Sequence, residues 1–393
     1  MWGSCVVNRP ARGKVHKLLA LFFKQIPKSS SMPEALPLPH FSHKQFLKAD
    51  KDPEKAADLV DLVYVRDNDD GIMRVKKNDK FEYWYKGKPV KDEQTLARIK
   101  KLVIPPAWEK VWISPNDNGH IQVTGFDVRG RKQYRYHLRW NLLRSETKFH
   151  RLYEFGNALP KIREVIEKDI ACKDVCQSKV MALIISLMER TYIRVGNNEY
   201  EKLNGSYGLT TLKNKHAHIN GDNIVFSFKG KKGVHHDITL KNRKLVKAVK
   251  ECRDIPGKEL FQYYDEEGNK KPVDSGMVNH YIKEAAGADF SAKDFRTWAG
   301  SLQALQAFRV MGCADTDTEC KKNIVTVIDA VSKKLGNTRN VCKKYYVHPS
   351  LVKLYEEKQL DKYLKDLDST EKSTDKFSLT AEEQILLKIL KNN

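Results

Sequence analysis

The chain lacks any apolar run long enough to cross a bilayer, and its mean hydropathy is −0.59. It also lacks a cysteine framework, because its seven cysteines are scattered without paired metal-ligand spacing. That distribution excludes a disulfide scaffold and favours a reducing compartment. Acidic side chains are scarce, since 50 Asp+Glu stand against 71 Lys+Arg and leave a formal charge of +21. This excess indicates a polyanionic partner such as nucleic acid, and less readily an acidic membrane surface.

The first 33 residues contain no acid and carry six Lys/Arg around the apolar patch 18–23. This composition is typical of an organellar transit peptide and equally of a disordered basic arm, so mitochondrial import and a start at Met32 both stay open. The charged residues 48–54 are interpreted as a linker. The length of 393 residues suggests two or three domains. We divide the chain into a basic arm and linker (1–54), a β-rich domain (55–144), an α-helical domain (145–368), and a polar linker with a short helix (369–393).

Hydrophobic periodicity predicts strands in the first domain and helices in the second. Apolar residues alternate at 81–85 and again at Ile121 and Val123, and a short helix is expected from Asp92 to Leu102. Three amphipathic helices follow: 178–193, 291–311 with a Ser291 and Asp294 capping box, and one that ends at Gly336. Arg296 is expected to lie off the buried stripe of its helix. A charged helix is expected from Pro349 to about Leu367.

Residues 129–140 contain five Lys/Arg, no acid and interleaved aromatic residues. In an extended strand, successive side chains point to opposite faces, so one face could lie on DNA with its cations at phosphates. The candidate DNA contacts are Arg131, Lys132, Gln133, Tyr134, Arg135, Tyr136 and His137, and Gln133 or a tyrosine could reach a base edge. The alternative is an edge strand whose cations block aggregation.

A predicted hairpin carries Lys231 on its turn, where most lysines are only solvated. Four histidines, His216, His218, His235 and His236, have no carboxylate or cysteine at ligand spacing, so we expect surface or phosphate-contacting histidines and no metal.

Two adjacent tyrosines, Tyr345 and Tyr346, follow Lys343 and Lys344. A phenol has a pKa of about 10 and becomes a useful nucleophile near neutral pH only where cations or hydrogen bonds favour its phenolate. The alternative is that both tyrosines are packing residues flanked by solvated lysines.

Several motifs occur in one order: residues 104–108, 130–134, 194–197, 230–231, 293–298, 335–338 and 346–349. In this order they resemble the type IB DNA topoisomerases of the small poxvirus and bacterial kind, over about residues 60–355. The resemblance implies an α+β protein in which a small β-rich domain and a larger α-helical catalytic domain form a clamp around duplex DNA, with a hinge in a linker near residues 140–150. It also implies relaxation of supercoils without ATP, metal or another cofactor, by a protein that we expect to act as a monomer.

The same resemblance implies the catalytic roles. Tyr346, which directly precedes Val-His-Pro, would form a 3′-phosphotyrosyl link, and Arg194 and Arg296 would hold the nonbridging oxygens. Lys231 would protonate the leaving 5′-oxygen, with Lys343 and Lys344 as electrostatic support. Asn337 stands where poxvirus members have histidine, and it can donate a hydrogen bond but carries no charge.

Two alternatives stay open at this point. A tyrosine recombinase shares the covalent step, but such enzymes usually have histidine where this chain has Lys293. A DNA-binding protein without enzymatic activity would explain the charge but not the ordered Arg, Lys, Arg, Asn and Tyr set. The expected compartment is intracellular and contains DNA, whether bacterial, viral and cytoplasmic, or nuclear.

Overall fold

The computed structural model describes residues 41–78, 80–369 and 375–392. They divide into two compact units, residues 57–143 and residues 41–56 together with 144–392. The first unit is built on an antiparallel sheet and the second is mainly helical, so the expected α+β class is confirmed. The basic segment 1–31 and most of the predicted linker 369–376 lie outside the described residues. Within these residues, no helix combines the length and apolar character needed to cross a membrane.

The interpretation of residues 48–54 as a linker is wrong, because helices α1 (His43–Lys51) and α2 (Pro53–Asp58) cover them. Ser42 and Gln45 form a capping box at the start of α1, in which the Ser42 N–H donates to Gln45 Oε1 at 2.8 Å. Phe46 is buried and stacks on His150 with ring centroids 4.0 Å apart. The Ser-x-x-Gln spacing is itself a sequence signal for such a helix start.

The first unit contains a six-stranded sheet with the order β3-β2-β1-β4-β5-β6. Its strands are β1 (Ile72–Lys77), β2 (Lys80–Tyr85), β3 (Lys88–Pro89), β4 (Glu109–Ile113), β5 (Ile121–Phe126) and β6 (Lys132–Tyr136). Helix α3 (Glu93–Lys101) begins at Asp92, whose carboxylate accepts from Thr95 N at 2.7 Å. It buries Ile99 in the same cluster as Val111, Ile113 and Val123. The strands and the helix predicted for this region are therefore confirmed.

The second unit contains most of the helices. They are α4 (Leu138–Ile170), which begins in the first unit, α5 (Gln177–Thr191), α6 (Asn198–Asn204), α7 (Arg243–Arg253), α8 (Ser275–Ala286), α9 (Ala292–Met311), α10 (Asp317–Leu335), α11 (Arg339–Tyr345), α12 (Pro349–Glu356), α13 (Leu360–Ser369) and α14 (Ala381–Asn392). A three-stranded antiparallel sheet, β7 (Ala217–Asn220), β8 (Asn223–Lys229) and β9 (His235–Lys241), and a ribbon, β10 (Gln262–Tyr264) with β11 (Lys270–Pro272), complete it.

Local signals place the ends of the two helices that frame the site. Ser291 and Asp294 form the predicted capping box at the start of α9, with Ser291 N donating to Asp294 Oδ2 at 2.8 Å. Helix α10 ends at Gly336, which has φ 59° in the left-handed region that glycine adopts without a side-chain clash. Both predicted ends are confirmed.

Two expectations about local structure are wrong. Residues 140–150 lie within helix α4, so they do not form a linker there, and Trp140, Leu143 and Thr147 are buried at i, i+3 and i+7. The charged segment after Pro349 forms two helices, because Lys358 takes a left-handed conformation with φ 57° between them. Helix α11 ends at Tyr345, and Tyr346 follows it directly.

Candidate active site

Two guanidinium groups converge on the C-terminal end of helix α10. Arg296 Nη2 donates to Leu335 O at 2.8 Å, and Nη1 donates to Tyr192 O. Arg194 Nη2 donates to Gly336 O at 3.2 Å and to Asn337 Oδ1. The last carbonyls of a helix have no partner within it and carry partial negative charge, so cations bind there readily. The end of α10 therefore orients both arginines.

These arginines, Arg296 buried and Arg194 half-buried, have no carboxylate partner in the described part of the chain. Arg296 is only 5% exposed, which contradicts the expectation that it lies off the buried stripe of α9. Within residues 41–78, 80–369 and 375–392, neither Arg194 nor Arg296 forms an ion pair. Burial, together with repulsion from Arg296, lowers the pKa of Arg194 to about 10. Burial likewise lowers the pKa of Arg296, while the nearby Tyr346 acts in the opposite direction. Buried charges are costly unless an opposite charge joins them, so the arrangement favours an anionic ligand.

Tyr346 lies against the same two cations. It follows helix α11 directly, and its ring centroid is 5.4 Å from Arg296 Cζ. Gly300 of α9 permits this approach, since a Cβ built there would lie 2.8 Å from Tyr346 Cβ. Ser301 Oγ donates to Tyr346 O at 3.2 Å and accepts from His348 N at 3.0 Å. Helix α9 thus holds both Arg296 and the backbone of Tyr346.

Two buried donors at this site have no hydrogen-bond partner in the described part of the chain: Arg296 Nε and Asn337 Nδ2. The backbone of Asn337 is fixed, because its N–H donates to Ser332 O at 3.0 Å. Its side-chain oxygen accepts from Arg194, so the amide N–H group must point away from that cation. An unpartnered buried donor costs free energy until an acceptor arrives. Both donors are therefore available to an oxygen-rich ligand.

Lys231 is exposed on the turn between β8 and β9, as predicted for a hairpin lysine. Its Nζ lies 5.9 Å from the centroid of the Tyr200 ring. The structure therefore places Arg194, Arg296, Asn337 and Tyr346 together, and it places Lys231 on the neighbouring hairpin with its ammonium directed at Tyr200.

The lysines beside the tyrosines occupy the surface of α11. Lys343 and Lys344 are exposed, and Lys344 Nζ lies 5.4 Å from the centroid of the Tyr345 ring. Tyr345 is 41% exposed, whereas Tyr346 is half-buried. The two tyrosines that looked equivalent in sequence therefore differ in surroundings, and Tyr346 is the one at the arginines.

Lys148 of helix α4 is a neighbour of this segment that sequence reasoning missed. Its ammonium donates to Tyr345 O and lies 5.5 Å from the Tyr345 ring centroid. Burial, followed by repulsion from Lys293, lowers its pKa to about 7. Since 197 residues separate Lys148 from Tyr345, no local pattern could have identified the contact.

Strand β6 presents the predicted basic and aromatic residues on two faces. Lys132, Tyr134 and Tyr136 are exposed, and the two tyrosine rings stack with centroids 5.9 Å apart. An exposed aromatic pair is unusual for a strand that only protects an edge. β6 is an edge strand of its sheet, so this face is compatible with DNA contact and with edge protection.

Cations on both faces of β6 make contacts within the protein, and on the exposed face Lys132 forms an ion pair with Asp67 at 2.6 Å. Arg131 forms an ion pair with Asp127 at 2.6 Å and lowers the pKa of that carboxyl to about 2, and Gln133 Nε2 donates to Asp127 Oδ2 at 3.0 Å. Arg135 Nη2 donates to Val103 O at 2.8 Å. His137 Nδ1 accepts from the backbone N–H of Arg139 at 3.2 Å. A nucleic-acid contact by these five residues would compete with the contacts that they make within the protein.

The histidines differ from one another. His216 is buried and its Nδ1 accepts from Lys213 N at 3.0 Å, so the expectation of a surface histidine is wrong there. His218 and His235 are exposed, whereas His236 is half-buried beside the arginines. Across the described residues, no group of three or more His, Cys, Asp or Glu side chains is arranged to hold a metal ion.

Comparisons with known proteins identify the family of the chain. Residues 138–374 match the family described as eukaryotic DNA topoisomerase I, catalytic core, and residues 80–127 match the bacterial DNA topoisomerase IB N-terminal domain. The chain is 35% identical over 295 residues to DNA topoisomerase 1B of Acanthamoeba polyphaga mimivirus, which covers 73% of this chain and 88% of the relative. It is 30% identical over 284 residues to DNA topoisomerase I of Monkeypox virus, covering 69% and 85% respectively. The chain belongs to the type IB DNA topoisomerase family.

Proposed function

We propose that this type IB topoisomerase relaxes supercoiled duplex DNA with Tyr346 as its nucleophile. The observation that carries the proposal is the pair of guanidiniums, Arg296 buried and Arg194 half-buried, that lie beside the Tyr346 ring without a carboxylate partner in the described residues. A DNA phosphodiester is an anion that would supply the missing negative charge. Tyr345 fits the role less well, because its more exposed ring contacts lysines on the surface.

The reaction is a reversible phosphoryl transfer. The Tyr346 phenolate oxygen attacks the phosphorus, a tyrosyl O–P bond forms, and the bond from phosphorus to the 5′-oxygen breaks. The strand then carries a 3′-phosphotyrosyl link, and the other end leaves as a 5′-hydroxyl. After the duplex has rotated, the 5′-hydroxyl attacks the same phosphorus and releases Tyr346. The tyrosyl phosphodiester retains the free energy of the cleaved bond, so religation does not require ATP.

Arg194, Arg296 and Asn337 stabilise the charge on the nonbridging oxygens in this proposal. Their geometry is fixed by backbone atoms at the end of α10 before any ligand binds. Donors that need no reorganisation are worth roughly 10²–10³ in rate each when removed singly. Asn337 would contribute its unpartnered Nδ2–H group, so it acts as a neutral donor rather than as a charge.

Lys231 is the proposed general acid that gives a proton to the departing 5′-oxygen. Its position on an exposed hairpin turn supports access to the leaving strand. Its ammonium must turn from Tyr200 toward the phosphate to do so, and DNA binding would supply the attraction.

For DNA binding, we propose that the exposed face of β6 contacts the duplex and that the two units together form a clamp around it. Lys132 would meet a phosphate, and the stacked Tyr134 and Tyr136 would lie against the groove. Lys343 and Lys344 would add phosphate contacts beside Tyr346. Binding should weaken steeply with salt, because backbone contacts release counterions.

The decisive test is relaxation of a supercoiled plasmid in EDTA without ATP. Wild type and Tyr345→Phe should relax both signs of supercoil, and Tyr346→Phe should relax neither. Loss of relaxation in Tyr345→Phe with retention in Tyr346→Phe would reverse the assignment of the nucleophile. Joining of two different DNA molecules at paired sites, in place of relaxation, would support a recombinase.

Because the substrate is DNA, the protein acts in a compartment that contains DNA. The viral relatives give no support for mitochondrial import, which the basic N-terminal segment had left open. We also propose that the chain acts as a monomer, since the five residues proposed to act on the phosphodiester come from one chain.

A further inference from the structure

His236 occupies the space between two segments that carry proposed catalytic residues. It belongs to β9, pairs with Phe228 of β8, and stacks on the Phe228 ring with centroids 5.1 Å apart. Its ring touches Gly230 and Gly336, the residues directly before Lys231 and Asn337. A Cβ on Gly230 would lie 2.6 Å from His236 Cδ2, and a Cβ on Gly336 would overlap the Cε1 side of the ring. The imidazole therefore fills a gap that only glycines leave open on both sides.

The surroundings of His236 favour the neutral imidazole. Burial, and then the positive charges of Arg194 and Arg296, lower its pKa below the ordinary value, with His235 acting in the same direction and Asp237 against it. A third cation at this point would increase the repulsion between the two guanidiniums. A neutral ring instead supplies shape and rigidity beside them.

The turn that carries Lys231 is exposed to solvent. Residues 231–235 are exposed, and Lys232 takes a left-handed conformation with φ 62°. The base of the turn is closed by Gly230 N donating to Val234 O at 2.7 Å. That bond sets the shape of the turn but does not set its distance from Asn337. The His236 ring sets this distance, because it contacts the backbone of Gly230 on one side and of Gly336 on the other.

We propose that His236 is a positioning residue that holds the Lys231 turn at a fixed distance from the Gly336–Asn337 segment, so that Lys231 Nζ can protonate the leaving 5′-oxygen. This inference rests on the proposed role of Lys231 as general acid. Without the ring, the turn can tilt about its closing hydrogen bond, and the ammonium loses its alignment with the oxygen. The bond from phosphorus to the 5′-oxygen then breaks without a proton in place.

A substrate with sulfur in place of the bridging 5′-oxygen tests the proposal. A thiol has a pKa of about 8.5, compared with roughly 16 for a water-like hydroxyl, so a thiolate leaves without protonation. Single-turnover cleavage of the oxygen and sulfur duplexes is measured for each variant. We expect His236→Ala to cleave the oxygen duplex about 10–100-fold more slowly, a share of the roughly 10²–10⁴ that general acids contribute, and the sulfur duplex at nearly the wild-type rate.

Three further variants separate the outcomes. Lys231→Ala should show the same recovery on sulfur more strongly. If it does not, the proposed role of Lys231 fails, and the inference about His236, which rests on it, fails with it. His236→Gln, which keeps part of the ring volume, should show a smaller loss than His236→Ala. His235→Ala, on the exposed side of the same strand, should match wild type on both substrates.

The ratio of the two rates is measured within each variant, so a general loss of folded protein cancels. Equal losses on both duplexes in His236→Ala, or no loss on either, would overturn the positioning role while leaving the role of Lys231 intact. If cleavage of the sulfur duplex recovers in Lys231→Ala but not in His236→Ala, the positioning role of His236 is likewise overturned and the role of Lys231 is retained.

Discussion

The substitution Asn337→Asp should stabilise the protein and stop its chemistry. It replaces the unpartnered Nδ2–H group with a negatively charged oxygen beside two cations that have no ion pair in the described structure. The pKa of Arg194 is held at about 10 instead of 12.5. At roughly 1.4 kcal/mol for each pH unit, the surroundings disfavour its charged form by about 3 kcal/mol. A carboxylate in contact with it can recover at most about that amount, less the cost of its own desolvation.

We therefore expect the free energy of unfolding to rise by about 1–3 kcal/mol at pH 7, measured by urea denaturation without DNA, phosphate or sulfate. The new carboxyl should have a lowered folded-state pKa, so the gain is present above the unfolded pKa of about 3.9 and is lost as pH falls below it. Cleavage should fall by at least about 10², because one donor is lost and the phosphate is repelled.

A matched control uses the same change in another buried asparagine. Asn323 Nδ2 donates to Tyr355 OH at 2.9 Å, away from the arginines, so Asn323→Asp should destabilise the protein. A drop in stability in Asn337→Asp similar to that in Asn323→Asp would refute the view that the site has uncompensated positive charge. Retention of wild-type cleavage by Asn337→Asp would refute the role of its amide.

Three other predictions concern charges that the structure buries. Arg163→Met should lower stability by about 3–5 kcal/mol in urea denaturation, because Arg163 is paired with Glu189 and Glu383, whereas Arg194→Met should change it by less than about 1 kcal/mol. Burial lowers the pKa of His348 to about 3, so wild type should lose stability as pH falls below the unfolded pKa of about 6.5. At pH 5, the free energy of unfolding of wild type should have fallen by about 2 kcal/mol more than that of His348→Asn. The pKa of Lys148 is about 7 in the folded protein, compared with about 10.5 in the unfolded chain, so its burial costs most below pH 7 and less as pH rises toward 10.5. Between pH 7 and 9, the free energy of unfolding of wild type should therefore rise by about 2 kcal/mol relative to that of Lys148→Met.

Features that depend on neighbours in sequence could be predicted. The capping box of Ser291 and Asp294 and the left-handed Gly336 act within one helical turn, and both were placed correctly from sequence. The alternating pattern of β6 likewise predicts which side chains share a face. Helix α1 shows that a local signal can also be overlooked, since Ser42 and Gln45 stand at capping-box spacing.

Features that depend on distant parts of the chain could not be predicted. Arg296 is buried because its guanidinium finds the carbonyls of Tyr192 and Leu335, which lie 104 and 39 residues away. Judged from its own helix, it lies off the apolar stripe and belongs on the surface. The position of His236 depends in the same way on Gly336, a hundred residues further along the chain. Periodicity carries no information about such contacts.

The groups that bind each arginine side chain distinguish the structural arginine of this fold from the two that are proposed to act on the phosphate. Arg163 is anchored by two carboxylates, which fix its position and neutralise its charge. Arg194 and Arg296 are anchored mainly by backbone carbonyls at the end of α10, which fix their position but leave most of the charge uncompensated. Carboxylate anchors would have given the same orientation with a more stable free protein and a weaker field at the phosphate. The end of a helix therefore lets the protein hold two cations rigidly and still keep their charge for the DNA backbone.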